Sequence, residues 1–429
     1  MSIIFFSVSG GPYGLEEIVA SVGPFTTLFL ILFIPLIWTI PEVLIVAELS
    51  STYPVKGGYY RWVEMGLGKF WGFMEGWWSI LYSLIDLSLY PILFTMYFKI
   101  LFPDIDNLTL YIIEFSVIWL CALMNIYGIK SVSLSLSVFK LFILFAFLIF
   151  IFLGFKYHSV NYSLILKSFR SQEHFAPKNF LYGLSLAFWN FIGWDNGSAV
   201  LHEVDKPDKN FYKALFLTIP VIVFFYFFPV LIGVSIDTDW QNWKFGEFSH
   251  IANLMNQPFL GVILAIGGMA MCLGIFNSLL LSSSRVLLTM AEDKFLPAFF
   301  TKSHKKRFTP HVIIIFCAFA YSILILINFE RLIIYDVLLY LFAMLLEALA
   351  LVSLRRQNKK AKSFFKIPLG SFGLYGTVLI VILVILFMTI INIVNFKFSF
   401  VNFFIMFSLI FGGMIVYYLL KRFRGALKG

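Results

Sequence analysis

Ser7-Val8-Ser9-Gly10-Gly11-Pro12-Tyr13-Gly14 interrupts an apolar run that opens at Ile3 and resumes from Leu15 to Val19. No unbroken helix passes through it, because each glycine costs a helix roughly 1 kcal/mol and an interior proline about 3. The surrounding composition gives the interruption its meaning. Of 429 residues, 60% are hydrophobic, 19% aromatic and only 13% charged. That leaves too little polar surface for a water-soluble domain of this size and describes a polytopic helical membrane protein. In a bilayer, freed backbone groups are tolerated only where protein or a watery cavity satisfies them. The stretch therefore reads as a place where backbone meets a ligand or an ion. The alternative is a kinked helix without a ligand, since Gly and Pro are common in membrane helices.

At about 20 residues per span, twelve apolar segments follow one another: 2–22, 26–50, 70–101, 108–128, 131–154, 178–201, 212–235, 258–290, 311–328, 332–354, 369–393 and 400–420. With both termini inside, 23 of the 32 Lys and Arg residues fall on the cytoplasmic side, 8 outside, and Lys140 lies within segment 5. Basic loops face the cytoplasm, so this bias supports that orientation. No cleavable signal peptide is evident. Cys121, Cys272 and Cys317 lie in apolar segments at unrelated spacings, as packing residues rather than a disulfide or metal framework. The formal charge of +9 reads as topology, and no soluble basic domain exists to hold a nucleic acid.

A second interruption lies in segment 6, which runs from Phe180 to Trp194 and is broken by Asp195-Asn196-Gly197 before Ser198 to Val204. Paired broken helices at matching positions of two halves point to a transporter binding site. An offset of five spans makes the halves inverted repeats, about 1–154 and 178–354, with two extra helices at about 369–420. The fold expected is all-α: twelve transmembrane helices in a single transmembrane domain.

Further motifs run along nearly the whole chain. They include Ala47-Glu48-Leu49, Tyr53-Pro54, Gly57-Gly58-Tyr59-Tyr60, Gly72-Phe73 and Gly76-Trp77 in and after segment 2. Segment 6 leaves through His202-Glu203-Val204 and Lys206-Pro207, and segment 8 ends Ser284-Arg285-Val286, Met290-Ala291-Glu292-Asp293 and Leu296-Pro297. In this order the sequence resembles the amino acid–polyamine–organocation transporters, which have the LeuT-like fold of five plus five inverted helices. Ser9 to Glu16, Asp86-Leu87-Ser88-Leu89-Tyr90-Pro91 and Met344-Leu345-Leu346-Glu347 resemble the polyamine-uptake branch of plants and protozoa. Family members usually carry a cytoplasmic arm before the first helix, whereas Met1 lies about eight residues before this break, which puts any inner-gate mechanism in question.

The resemblance implies that the unwound backbone at Ser9, Gly10, Gly11, Tyr13 and Gly14 holds a substrate's carboxylate or its α-amino end, using the half-helix dipoles. Pro12 removes one N–H donor and so disfavours tight carboxylate capture. By the same resemblance Trp189 matches the aromatic gate that closes over the substrate, with Asn190 and Gly193 beside it. A tryptophan face also attracts a cation. Asp86, Asp195 and Glu347 lie well inside apolar segments, where an acid is costly and normally functional. A cationic amine explains that cost, and a structural hydrogen-bond network is the competing explanation. Tyr90 accompanies Asp86 as a candidate contact. Glu42, Glu48 and Glu203, with Arg285, read as gate or network positions, and Glu16 and Glu17 as acids of an outer vestibule that draw cations inward.

Lys140 is the only basic residue in mid-span. In sodium-coupled relatives a sodium ion sits between helices 1, 5 and 8, and a lysine there replaces it. The resemblance therefore implies sodium-independent transport and leaves room for proton coupling, because buried lysines titrate readily. Ser283 and Ser284 would line the same spot, and snorkelling from the helix end is the other reading of Lys140.

The sequence thus describes a permease, not an enzyme, moving a cationic amine or an amino acid by alternating access, with protons as the coupling ion. Polyamines and amino acids both remain substrates at this point. Acidic site residues favour the first, and Lys140 belongs more with amino-acid carriers. A transporter-like nutrient sensor is the alternative of another class. No cofactor or metal is expected: the six histidines (His158, His174, His202, His250, His304 and His311) sit unpaired in loops or at helix ends without zinc spacing. No Gly-Lys-Ser/Thr phosphate loop is present, which excludes ATP-driven transport. Asn107, Asn161 and Asn196 begin Asn-X-Ser/Thr triplets, and none is assigned a glycan. The cell membrane is the expected location.

Overall fold

The chain is described by a computed structural model over residues 1–157, 163, 165–166, 177–304, 306–307, 309–326, 329–395 and 400–426. His158, Asn161 and His174 lie outside the described residues.

The first apolar segment is two short helices, α1 (Ser2–Val8) and α2 (Glu16–Val22), separated by the glycine-rich stretch. Gly10 takes φ +75°, and an added Cβ there would lie 2.6 Å from Met271 Cγ, so a side chain is excluded by both conformation and space. Then comes α3 (Pro24–Thr52), which widens into a π turn at Pro35–Thr39. Pro41, two residues beyond that turn, has no N–H to give the helical ladder. Next are α4 (Gly58–Leu67), α5 (Lys69–Leu101), α6 (Asn107–Tyr127) and α7 (Ile129–Tyr157). With ten residues, and so about 15 Å of length, α4 is too short to span a bilayer.

The sixth segment is broken too, but earlier than the sequence suggested. Helix α8 (Pro177–Trp189) ends before Asn190 rather than at Trp194, and the second half is a 3-10 stretch, Asn196–Glu203. Regular helix stops at Trp189, and the irregular link to Asp195 passes through Gly193 at φ +100°, a conformation that favours glycine. The chain continues through α9 (Pro207–Ile236), the short α10 (Glu247–Leu254), α11 (Pro258–Glu292), α12 (His311–Leu324), α13 (Phe329–Gln357), α14 (Gly370–Asn395) and α15 (Phe400–Ala426).

Among the described residues, nine helices are long and apolar enough to cross a membrane. The shorter α12 and the two broken segments complete the twelve positions read from the sequence. This is an all-helical, multi-pass membrane protein. At its centre is α11, which packs on α5, α7, α1 and α6. The last helix is held at the periphery by two indoles of α5, where Trp77 Nε1 donates to the Leu409 carbonyl (2.9 Å) and Trp78 Nε1 to that of Ile410 (3.0 Å).

One end of the bundle gathers the basic loops and is closed by ion pairs. Lys56 meets Glu292 (2.6 Å), Arg61 meets Asp293 (3.1 Å) and Arg285 meets Glu203 (3.0 Å). Arg355 grips the buried Glu48, whose Oε2 also accepts from the Ile367 N–H (2.8 Å). The exposed Lys56 pair adds little stability, whereas losing Arg355 would strand a buried charge.

Candidate functional site

Three of the N–H groups that the first break sets free already have partners. Gly10 N–H donates to the Phe5 carbonyl (3.2 Å), Gly11 N–H to Ser9 Oγ (3.0 Å), and Gly14 N–H to Glu16 Oε2 (2.7 Å). Pro12 has none to give. By contrast, the Ser7, Val8 and Gly10 carbonyls accept no hydrogen bond among the described residues. The break therefore offers acceptors at the negative end of the α1 dipole, an environment for a cation.

Glu16 is fully buried, at 0% exposure, and its Oε1 also accepts from the Gly246 N–H at 3.3 Å. This overturns its reading as a vestibule acid. The short loop before α10 folds over it, and the carboxylate occupies the N-terminal end of α2, where a helix attracts an anion. Glu17 is half-buried and accepts from the Tyr182 hydroxyl (2.9 Å).

The second break meets the first. A Cβ at Gly193 would fall 2.3 Å from the Ser7 carbonyl oxygen, so only glycine lets the two backbones touch. Asn190 is fixed by Nδ2 donating to the Leu186 carbonyl (2.9 Å), while its own carbonyl accepts from the Tyr226 hydroxyl (3.0 Å). Between the breaks lies a small cavity of about 20 Å³. Its walls are Val8, Ser9, Tyr13 and Gly14 from the first break, Trp189 and Asn190 from the second, Tyr90 and Leu93 from α5, and Met271 and Ile275 from α11. Tyr13 is anchored by its hydroxyl on the Leu264 carbonyl (2.7 Å). Tyr90 and Trp189 stack with ring centroids 6.0 Å apart and planes 17° from parallel.

Behind that aromatic pair stands Asp86. Its Oδ1 accepts from both Tyr90 Oη (2.9 Å) and Trp189 Nε1 (3.0 Å). Asp86 therefore sets the orientation of the two aromatic walls, whatever else it binds.

Asp195 and Glu347 do not line this cavity. They belong to a separate buried group with Glu42 and Glu75, contributed by the second break, α13, α3 and α5. The Tyr340 hydroxyl lies against both Glu42 Oε1 (2.5 Å) and Asp195 Oδ1. Trp194 N–H donates to Glu42 Oε1 (3.1 Å) and Ser79 Oγ to Glu75 Oε1 (3.2 Å). A tyrosine hydroxyl has one proton to give. With two carboxyl groups on it, one of the acids must supply a proton of its own. No Lys or Arg forms an ion pair with these four acids among the described residues.

Lys140 is half-buried on the face of α7 that meets α1: Ser137, three residues before it, contacts Ser2 (Oγ–Oγ 3.2 Å), and Ile143, three after, lies against Gly11. Ser283 is buried on α11, whereas Ser284 turns to Arg285, whose Nη1 donates to it (3.2 Å). His304 and His311, read as unpaired, have ring centroids 6.2 Å apart because His304 N–H bonds back to the Thr309 carbonyl (2.8 Å). Among the described residues, no group of three or more His, Cys, Asp or Glu side chains could hold a metal ion.

Four buried acids escaped the sequence reading: Glu75, Glu114, Glu247 and Asp336. Asp336 lies five residues beyond Arg331 at the start of segment 10, and Glu75 six beyond Lys69 at the start of segment 3. Neither was singled out from the sequence, yet both are buried.

This geometry has relatives. The chain is 34% identical over 374 residues to a polyamine transporter of Arabidopsis thaliana, covering 86% of this chain and 75% of that protein. It is 33% identical over 386 residues to a polyamine transporter of Oryza sativa subsp. japonica, covering 86% and 69%. A serine/threonine exchanger of Bacillus subtilis is 25% identical over 366 residues, covering 80% and 81%. The amino acid permease model matches residues 2–417, and the chain belongs to that family of membrane transporters.

Proposed function

We propose that this carrier moves polyamines, aliphatic amines with two or more positive charges and no carboxylate. One observation carries the choice over amino acids. The buried Glu16 carboxylate already occupies the N-terminal end of α2, where a substrate carboxylate would otherwise bind. Added to it is the unbonded carbonyl of Val8, a residue of the cavity wall, and an unbonded carbonyl suits an ammonium. The names of the two plant relatives agree.

The cycle is alternating access between two inverted five-helix repeats, with the breaks at their interface. Trp189 and Tyr90 form the lid on one side, and the ion pairs of the basic end close the other. The basic loops place that end, and both termini, in the cytoplasm, with the protein in the cell membrane. Coupling is to protons and not sodium: Lys140 faces α1 where an ion would sit, and the group around Tyr340 requires at least one proton to satisfy its own hydrogen bonds.

The test is uptake of labelled putrescine and spermidine into proteoliposomes under an inward proton gradient, without sodium, beside an amino-acid panel. Saturable polyamine uptake that amino acids do not compete is the expected result. Uptake of amino acids alone would overturn the reading in favour of an amino-acid exchanger, and polyamine binding without flux would indicate a sensor.

A further inference from the structure

Helices α5 and α13 repeat one chemistry along their contact. Tyr82 and Tyr340 meet with ring centroids 5.3 Å apart, and Trp78 meets Phe342 at 5.9 Å. Going back along α5 thus corresponds to going forward along α13, so the helices run antiparallel. Steps of four and seven residues return a side chain to the same helix face. Seven residues from the tyrosines toward the basic end are Glu75 on α5 and Glu347 on α13, and four residues the other way are Asp86 and Asp336. Each helix therefore presents acid, tyrosine, acid on one seam. The register of the two ring contacts sets Asp86 opposite Asp336 and Glu75 opposite Glu347.

The rung beside the cavity is incomplete. Asp336 is 1% exposed and its Oδ1 accepts no hydrogen bond. Asp86 receives both of its donors on Oδ1, leaving Oδ2 without one among the described residues. No ion pair reaches either acid among the described residues. Two facing acids in a membrane interior need either a shared proton or a positive partner, and a cation brought by the substrate supplies the second. A hard metal ion is a poor occupant, since it needs six or more oxygen ligands and the neighbours Tyr90 and Trp189 already act as donors. An ammonium, with three hydrogens to give and no need of a complete oxygen shell, fits.

We propose that Asp86 and Asp336 form a second ammonium subsite, which takes the trailing amine of a di- or polyamine whose leading amine lies at the α1 carbonyls. The subsite lies one helical turn, about 6 Å, from the Tyr82–Tyr340 contact. It rests on the polyamine reading and adds to it a length selector: the distance between the two subsites sets which diamine fits best. Binding the trailing amine would also draw on the acid that orients Trp189 and Tyr90, linking occupancy to the aromatic lid.

The experiment is competition against labelled spermidine uptake by putrescine and by n-butylamine, which has the same carbon chain and one amine fewer. Asp336→Asn is expected to weaken putrescine competition about ten- to a hundredfold, the value of one charged hydrogen bond, and n-butylamine by less than about twofold. Equal effects on both amines, or none on either, would overturn the subsite. Asp336→Glu keeps the charge and reads the same geometry should the Asn variant not fold: its added methylene is expected to shift preference toward a shorter diamine, and an unchanged length preference overturns the proposal. A wild-type carrier that takes up no polyamine defeats the substrate reading itself, whereas uptake without a diamine-specific effect defeats only the subsite.

Discussion

Arginine and agmatine differ by one carboxylate, which makes them a direct probe of Glu16. Both carry the guanidinium, so the α1 carbonyls and the acids treat them alike. Only arginine must place an anion near the N-terminal end of α2, where Glu16 Oε2 already accepts from Gly14 N–H at 2.7 Å. At a separation of about 5 Å and an effective dielectric of about 20, two like charges repel by about 3 kcal/mol, the upper limit set by a fully ionised Glu16. That is roughly a two-hundredfold preference for agmatine. Glu16→Gln keeps the shape and one acceptor for Gly14 N–H while removing the charge, so most of the preference should vanish through improved arginine competition. The assay is inhibition of labelled putrescine uptake by the two compounds, in wild type and variant. A wild type that binds arginine as well as agmatine, or a variant with an unchanged ratio, would refute the assignment of Glu16 as the group that excludes carboxylates.

Three further outcomes follow from the geometry. Tyr340→Phe removes the hydroxyl bridging Glu42 and Asp195, so uptake should lose its rise with an inward proton gradient while polyamine competition stays within a fewfold; a variant with an intact pH profile would place coupling elsewhere. Gly193→Ala puts a methyl 2.3 Å from the Ser7 carbonyl at φ +100°, a strain of about 1–3 kcal/mol; it should lower the detergent-solubilised Tm and abolish uptake, and wild-type values for both would show that the breaks do not pack as described. Replacing sodium by potassium should leave wild-type uptake unchanged if Lys140 stands in for the ion, and strict sodium dependence would end that role.

What the sequence determined alone was the distribution of incompatible residues. Glycine and proline at 10–14, and acids in apolar runs at 86, 195 and 347, signal helix breaks and buried charge because a bilayer penalises both wherever they occur. Twelve spans, the first break and the family resemblance were legible for that reason. The end of α8 was not, because regular helix stops at Trp189 with no glycine or proline there, the first being Gly193 four residues on. Pairings were likewise beyond reach. Glu16 reads as a vestibule acid until Gly246, 230 residues away, folds over it. Asp336 and Glu75 carry no signal of their own until α5 and α13 pack antiparallel and set them opposite Asp86 and Glu347. A carboxylate's role depends on what donates to it and what faces it, and those partners come from distant parts of the chain that only tertiary packing brings together.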